Sequence, residues 1–377
     1  MACSDSSSDT AVLDWQLVPG KPATTEVIGL SGIAEAAQWL SAALPSLRNA
    51  LHEHGALYLR GLPITTTEDF AVVRDILISQ STPYREKATP RSDLGNGVFS
   101  STDMPASHPI MLHNENSYTL TFPGLLLFGC LVAPEEGGAT PVADCRKVLA
   151  ALPPRLVDKI RAAGWLLTRN FSDYISTDWW TAFASADPSA PAPDPAPAAG
   201  AGVGEDPRSA ERGPDGRDNQ MRHWVESYCA ENLIAYTWLA DGNLRTSQLR
   251  PGIVSHPSTG EEVWFNHLAF WNEWALDDEL RETLIDEFGP DGFPFNTAAG
   301  DGEALTREDL AAIRAAYDAA TVREAWRPGD LLVVDNVMTA HGRDPFRGAR
   351  RIVVAMGEPV ELAQCKPTVE PAAVFAR

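Results

Sequence analysis

The chain has 377 residues, 44% of them hydrophobic, which is ample apolar material for a large core. Its formal charge of −21, with Lys and Arg never gathered into a dense block, argues against nucleic acid and anionic membrane as partners. Five scattered cysteines (Cys3, Cys130, Cys145, Cys229 and Cys365) include no C-x-x-C pair, so neither a disulfide framework nor a zinc knuckle is expected, and a reducing cytoplasm fits best.

Residues 1–12 are small and polar and are expected to be disordered, with no basic and apolar leader pattern, and a folded unit is expected over 13–377. From Ile33 to Leu51, apolar residues recur at helical spacing with Pro45 as a break, and "GALYLRGL" (55–62) reads as a short buried strand. "TTTEDFAVVRDIL" follows, where a Thr/Glu capping box opens a second helix. The longest apolar run, Leu125 to Ala133, is too short to span a bilayer. Residues 184–220 are dense in Ala, Pro, Gly and Asp and contain no aromatic side chain, so nothing there offsets the entropy of ordering; they read as a mobile insertion. Its aromatic flanks, with Trp179 and Trp180 on one side, suggest a lid. Strand-like runs "NLIAYTWL" and "EEVWFNHLAFW" come next, then a helix "TREDLAAIRAAYDAAT", then "GDLLVVDNVMTAHGRDPFRGARRIVVAMGEPV" as two strands joined by a polar loop.

In "MLHNENSYTL" a histidine stands two residues before a glutamate. If Leu112 to Glu115 is extended, His113 and Glu115 share a face with Asn114 opposite, and an imidazole with a carboxylate suits one divalent metal. A second histidine would complete a two-His-one-carboxylate set. Of the other seven, His341 has the best context, after the apolar strand "LLVVDN" and before a Gly-Arg turn. The motif alone is also compatible with a structural hydrogen-bonded pair.

Together, "HNENSYTLTFPGLLLFGCLVAPEEGGATPVADCRKVL" and "WRPGDLLVVDNVMTAHGRDPFRGARRIVVAM" resemble the TauD/TfdA family of Fe(II)- and 2-oxoglutarate-dependent dioxygenases, in the branch of clavaminate synthase and SyrP. The likeness runs from about Gly55 to Glu358. It implies a mainly β fold with flanking helices, a double-stranded β-helix (jelly-roll) core, and one domain interrupted by the insertion. It also implies His113, Glu115 and His341 as ligands of Fe(II), with 2-oxoglutarate and O₂ as co-substrates. Thr140, after a turn at Gly137 and Gly138, matches the threonine that binds 2-oxoglutarate, and Arg351 matches the arginine on its distal carboxylate. Arg350 takes that role if the register differs by one, since strand alternation lets only one of the pair face the pocket. Asn114 and Asn266 are candidate substrate contacts, while Asp335 and Asn336 are expected to support the loop before His341. Tyr118, Phe122 and Phe128 are expected in the core.

The implied reaction is hydroxylation of an unactivated C–H bond in an amino acid, a carrier-bound amino acid or a related natural-product intermediate, as in antibiotic biosynthesis. Glu115 favours this over halogenation, whose enzymes replace the carboxylate with a small residue. Desaturation, epoxidation and cyclisation use the same metal set and stay open. A zinc hydrolase would use the same three ligands but has no need of a carboxylate clamp opposite the metal, and the intact triad argues against a non-catalytic metal- or metabolite-binding module on the same fold.

Overall fold

A computed structural model describes residues 13–82, 91–172, 179–183, 216–240 and 242–375. The calls on residues 1–12 and on most of the insertion lie outside this set; within the expected insertion, Gly216 opens a helix that runs to Glu231.

The helix Ile33–His54 passes through Pro45 without a break. Proline in a helix interior costs about 3 kcal/mol, but Leu40 and Ala43 before it and Leu47, Ala50 and Leu51 after it all lie on the buried face. Packing on both sides of the proline outweighs the missing backbone hydrogen bond. Gly55 ends this helix at φ 73°, the left-handed conformation that favours glycine, and the chain turns directly into the strand Ala56–Arg60. The next helix, Thr67–Leu77, is capped by Thr66 with Asp69, one residue beyond the expected Thr/Glu pair.

These two helices cover one face of a six-stranded sheet, ordered Ala23–Glu26, Ala56–Arg60, Leu331–Asp335, Thr121–Val132, Arg351–Glu361, Phe99–Ser100. The long strand Thr121–Val132 lies between two strands from the C-terminal part of the chain, so both sides of the insertion build one sheet. A four-stranded sheet, ordered Thr321–Val322, Val142–Asp144, Thr339–Arg343, Ile110–His113, holds the metal-facing strands. Val142 joins Phe128, Cys130, Leu332, Ile352 and Val354 in the core on the sheet's inner face. This is a double-stranded β-helix core with flanking helices. A second core, around Tyr118, Trp165, Trp264 and Phe265, is closed by the helices Cys145–Ala151, Pro154–Ala163 and Arg307–Ala320.

The C-terminal region expected as two strands forms three main ones, Leu331–Asp335, Thr339–Arg343 and Arg351–Glu361, because a tight turn at residues 336–338 divides the first. The aromatic run expected as a strand is extended only over Glu262–Trp264, after which residues 268–270 form a turn. Trp179 and Trp180 pack in a satellite core with Phe171, Phe183, Tyr228 and Trp238.

Candidate active site

His113 is the last residue of the strand Ile110–His113, and Glu115 follows in a turn that needs Asn116 at φ 54°. His341 lies in the neighbouring antiparallel strand directly opposite His113. One ligand atom from each of His113, Glu115 and His341 can be chosen so that all three lie within 4.8 Å of one another, and all three residues are buried. His341 Nε2 stands 3.7 Å from Glu115 Oε2. His113 Nδ1 is 2.8 Å from the carbonyl of Met111; donating there fixes the tautomer and leaves Nε2 with its lone pair. Burial lowers the pKa of His113 and carries that of His341 well below the usual histidine value, so both rings are neutral donors. Two neutral imidazoles and a carboxylate on one face are the donor set that suits iron(II) and leaves open positions.

The turn carrying Glu115 is held by Asn336. Its side-chain carbonyl accepts from Glu115 N at 2.7 Å, and its amide donates to the carbonyls of Glu115 at 2.9 Å and Pro123 at 2.7 Å. Asp335 Oδ1 accepts from the backbone N–H groups of Val337 and Met338, and Oδ2 meets His256 Nε2 at 2.9 Å. Asp335 therefore shapes the turn leading to His341, while Asn336 positions Glu115.

A small cavity opens beside the triad, lined by His113, His341, Phe128, Thr140 and three arginines, Arg91, Arg343 and Arg350. Of the two arginines weighed for the co-substrate, the expected Arg351 does not line this cavity and its neighbour Arg350 does. Arg351 is exposed, whereas Arg350 lines the cavity, donating from Nε to the Gly138 carbonyl at 2.9 Å and from Nη2 to Thr140 Oγ1 at 3.3 Å. Along this strand Ile352, Val354 and Met356 face the inner core, and Val353 and Ala355 face the helices. The pairing register shifts between Arg351 and Ile352, so it is the exposure of Arg351 and the contacts of Arg350, rather than this alternation, that assign the two arginines to their faces. Burial beside Arg343 lowers the Arg350 pKa to about 10, which leaves it cationic at neutral pH. Gly137 and Gly138 turn at φ 70° and 67°, and a Cβ on Gly138 would meet Phe346 and Pro134 at 2.8 Å, so the loop carrying Thr140 can approach Arg350 only with glycine there.

Neither asparagine expected at the substrate is available for it. Asn114 is fully buried just past the end of the strand and donates to the Asn336 carbonyl at 2.7 Å. Asn266 donates to the Gly252 carbonyl and accepts from Leu268 N. The residue beside Asn266 is the one near the metal face: the His267 ring lies 5.3 Å from that of His113, with Ser117 Oγ 2.7 Å from its Nδ1. Arg91, Arg343 and His267 carried no motif signal. Phe128 is both core and cavity wall, with its ring 5.2 Å from that of His341, while Tyr118 and Phe122 are core alone.

With this geometry in place, comparison decides the family. The model of the taurine catabolism dioxygenase TauD, TfdA family matches residues 20–356. The chain belongs to this family. It is an Fe(II)- and 2-oxoglutarate-dependent dioxygenase, with O₂ as second co-substrate, and the neutral two-His-one-carboxylate set fits that metal. It is similar to the dapdiamide synthesis protein DdaC of Enterobacter agglomerans, 33% identical over 310 residues that cover 82% of this chain and 84% of that protein. A clavaminate synthase-like protein of Arabidopsis thaliana is 24% identical over 321 residues, 82% of this chain and 83% of that one. Among solved structures, PvcB of Pseudomonas aeruginosa overlays with a TM-score of 0.45 at 15% identity, covering 90% of this chain and 86% of that chain. No helix among the described residues is long and apolar enough to cross a membrane.

Proposed function

We propose that this dioxygenase hydroxylates an unactivated C–H bond of an amino acid, a carrier-bound amino acid or a related small intermediate of specialised metabolism. The observation that carries the reading is the single cavity onto which His113, His341, Thr140 and Arg350 all open, with Glu115 against its wall through Arg91. His113, Glu115 and His341 would hold iron(II). Arg350, with Thr140 beside it, would take the distal carboxylate of 2-oxoglutarate, since a planar, permanently charged fork matches a carboxylate. Iron(II), when bound, couples O₂ reduction and the decarboxylation of 2-oxoglutarate to succinate with insertion of an oxygen atom into a substrate C–H bond.

The chain's own groups orient and enclose. Phe128 presses on the His341 ring, and Phe270 lies 4.7 Å from that of His113, so both ligands are shielded by apolar rings. Arg343 donates to the carbonyls of Met104, Pro105 and His108, fixing the loop that leads to the metal-bearing strand. Similarity to a dapdiamide synthesis protein supports a biosynthetic substrate. A panel of amino acids, their N-acylated forms and carrier-loaded amino acids, assayed for succinate release above the uncoupled background and for a product heavier by one oxygen, tests the proposal. Hydrolysis of a substrate bond without O₂, giving fragments that sum to substrate plus one water, would overturn it. A product lighter by two hydrogens would move it to desaturation on the same site.

A further inference from the structure

His256 is not among the residues that line the cavity. It lies on the hairpin that joins the strands Ile253–Ser255 and Glu262–Trp264, yet its ring reaches the turn that serves two of the metal ligands. Its Nδ1 accepts from the backbone N–H groups of Ser258 at 3.3 Å and Thr259 at 3.1 Å, within its own hairpin. Two N–H donors aimed at that nitrogen place the ring's proton on Nε2. Nε2 therefore donates to Asp335 Oδ2 at 2.9 Å, across 79 positions of sequence. Both side chains are buried.

The Asp335 carboxylate is thereby held at both oxygens. Oδ1 takes the N–H groups of Val337 and Met338 at 3.0 Å each, and Oδ2 takes His256. A carboxylate held at one oxygen alone can swing about its terminal torsion, which has only a broad, shallow preference. The bond from His256 fixes its plane, and with it the turn at residues 336–338. That turn reaches both sides of the triad. Asn336 accepts from Glu115 N at 2.7 Å and donates to the Glu115 carbonyl at 2.9 Å. The Met338 carbonyl accepts from Cys145 N at 2.8 Å, and the chain then enters the strand Thr339–Arg343, where His341 lies opposite His113.

Resting on the iron(II) reading of the triad, we infer that His256 is a positioning residue for the metal: its Nε2–H locks Asp335, and through the turn at 336–338 it holds Glu115 and His341 at their spacing. The hairpin thus supports the metal site although it contributes no ligand.

Two amide variants separate this role from support of the hairpin, because each reproduces one nitrogen of the ring. In His256→Gln the side-chain nitrogen stands as many bonds from the backbone as Nε2 and can donate to Asp335, while the acceptor for Ser258 and Thr259 is lost. In His256→Asn the side-chain oxygen stands as many bonds away as Nδ1 and keeps that acceptor, while Asp335 Oδ2 loses this donor. Each variant would be dialysed anaerobically against Fe(II) alone to obtain its dissociation constant, and the thermal unfolding of each metal-free protein recorded beside it. His256→Asn should weaken iron binding about tenfold or more, as is usual when a support behind a metal ligand is removed, and His256→Gln should stay within about threefold of native. Asp335→Asn should weaken it as much alone, and by less than about twofold further when added to His256→Asn, since the bond it breaks is already gone. Iron affinity should follow the donor to Asp335 and not the melting temperature. Equal weakening by the two amides, or native affinity in His256→Asn, overturns the inference. Should His256→Asn fail to fold, His256→Gln decides alone, because a tenfold loss there despite the kept donor overturns the route through Asp335. A native protein that binds no Fe(II), or shows no charge-transfer band once 2-oxoglutarate is added, sinks the iron reading itself, whereas native binding and band with His256→Asn unchanged sink only the role of His256.

Discussion

Replacing Arg350 by alanine should raise the dissociation constant for 2-oxoglutarate by roughly 30- to 150-fold. The magnitude follows from the bond that is lost. A charge-assisted pair in a water-poor site contributes about 2–3 kcal/mol, and each 1.4 kcal/mol is a factor of ten. Arg350 is well placed for such a pair, because Gly138, Ser101 and Thr140 hold its guanidinium before any ligand arrives, and a preorganised group loses less entropy on binding. Alanine also leaves the Gly138 carbonyl without this donor, a cost of about 1–3 kcal/mol that falls on stability. The two effects separate in Arg350→Lys, which keeps the charge and loses the fork, and whose binding loss should be intermediate. The assay is titration of the anaerobic Fe(II) protein with 2-oxoglutarate, followed by its charge-transfer absorption, with the apparent KM from succinate release as the kinetic counterpart. Arg351→Ala is the control; with its side chain exposed at the start of the strand, it should leave both numbers within about twofold. If Arg351→Ala weakens 2-oxoglutarate binding and Arg350→Ala does not, the assignment of Arg350 to the co-substrate is wrong.

His113→Ala, Glu115→Ala and His341→Ala should each lower bound iron, measured by metal analysis after gel filtration, and abolish coupled turnover; a variant that keeps stoichiometric iron is not a ligand variant. Asn336→Ala removes three hydrogen bonds around the Glu115 turn, so unfolding in urea should show a loss of about 3 kcal/mol together with weaker iron retention, and near-native values for both would deny it the positioning role. Burial raises the Asp330 carboxyl to about 6, above its ordinary value of 3.8. Because the folded value is the higher one, its contribution is fully present below pH 4 and is lost as pH rises through 6, by up to about 3 kcal/mol. Asp330→Asn should therefore gain in Tm relative to the native protein between pH 4 and pH 7, and parallel Tm curves across that range would count against the shift.

The parts of the fold that were legible in the sequence are those whose pattern repeats locally. The helix Arg307–Ala320 repeats one period without interruption, and the strand Leu331–Asp335 is a short unbroken apolar run buried throughout. The helix through Pro45 was misread at its middle because the proline penalty is local, while the burial that overrides it comes from the sheet beneath. The aromatic run after Trp264 failed for the converse reason. Its residues are buried on all sides in the second core, so their composition looks like a strand although their backbone turns.

At the site, what could be read was the chemistry that needs fixed spacing. A ligand pair two residues apart, and a histidine after a strand, are properties of the chain itself, and these three side chains do converge. The choice between Arg350 and Arg351 was not readable, because in "RRIVVAM" the two arginines are followed by an apolar run buried on both faces, and nothing in such a run marks which side is the interior. Only the folded surroundings tell them apart: Arg351 is exposed, and Arg350 lines the cavity with Thr140. Arg91 was less legible still. It lies 24 positions before Glu115, on a stretch with no periodicity, and its significance is a distance of 2.6 Å to an oxygen rather than a spacing. The chain carries a net charge of −21 yet lines this cavity with three guanidiniums, so its bulk charge and its local field have opposite signs. Composition therefore spoke to the surface, where it argues against polyanionic partners. The charges that face a ligand in the cavity are the few that folding brings inside, where low dielectric makes each of them count for more.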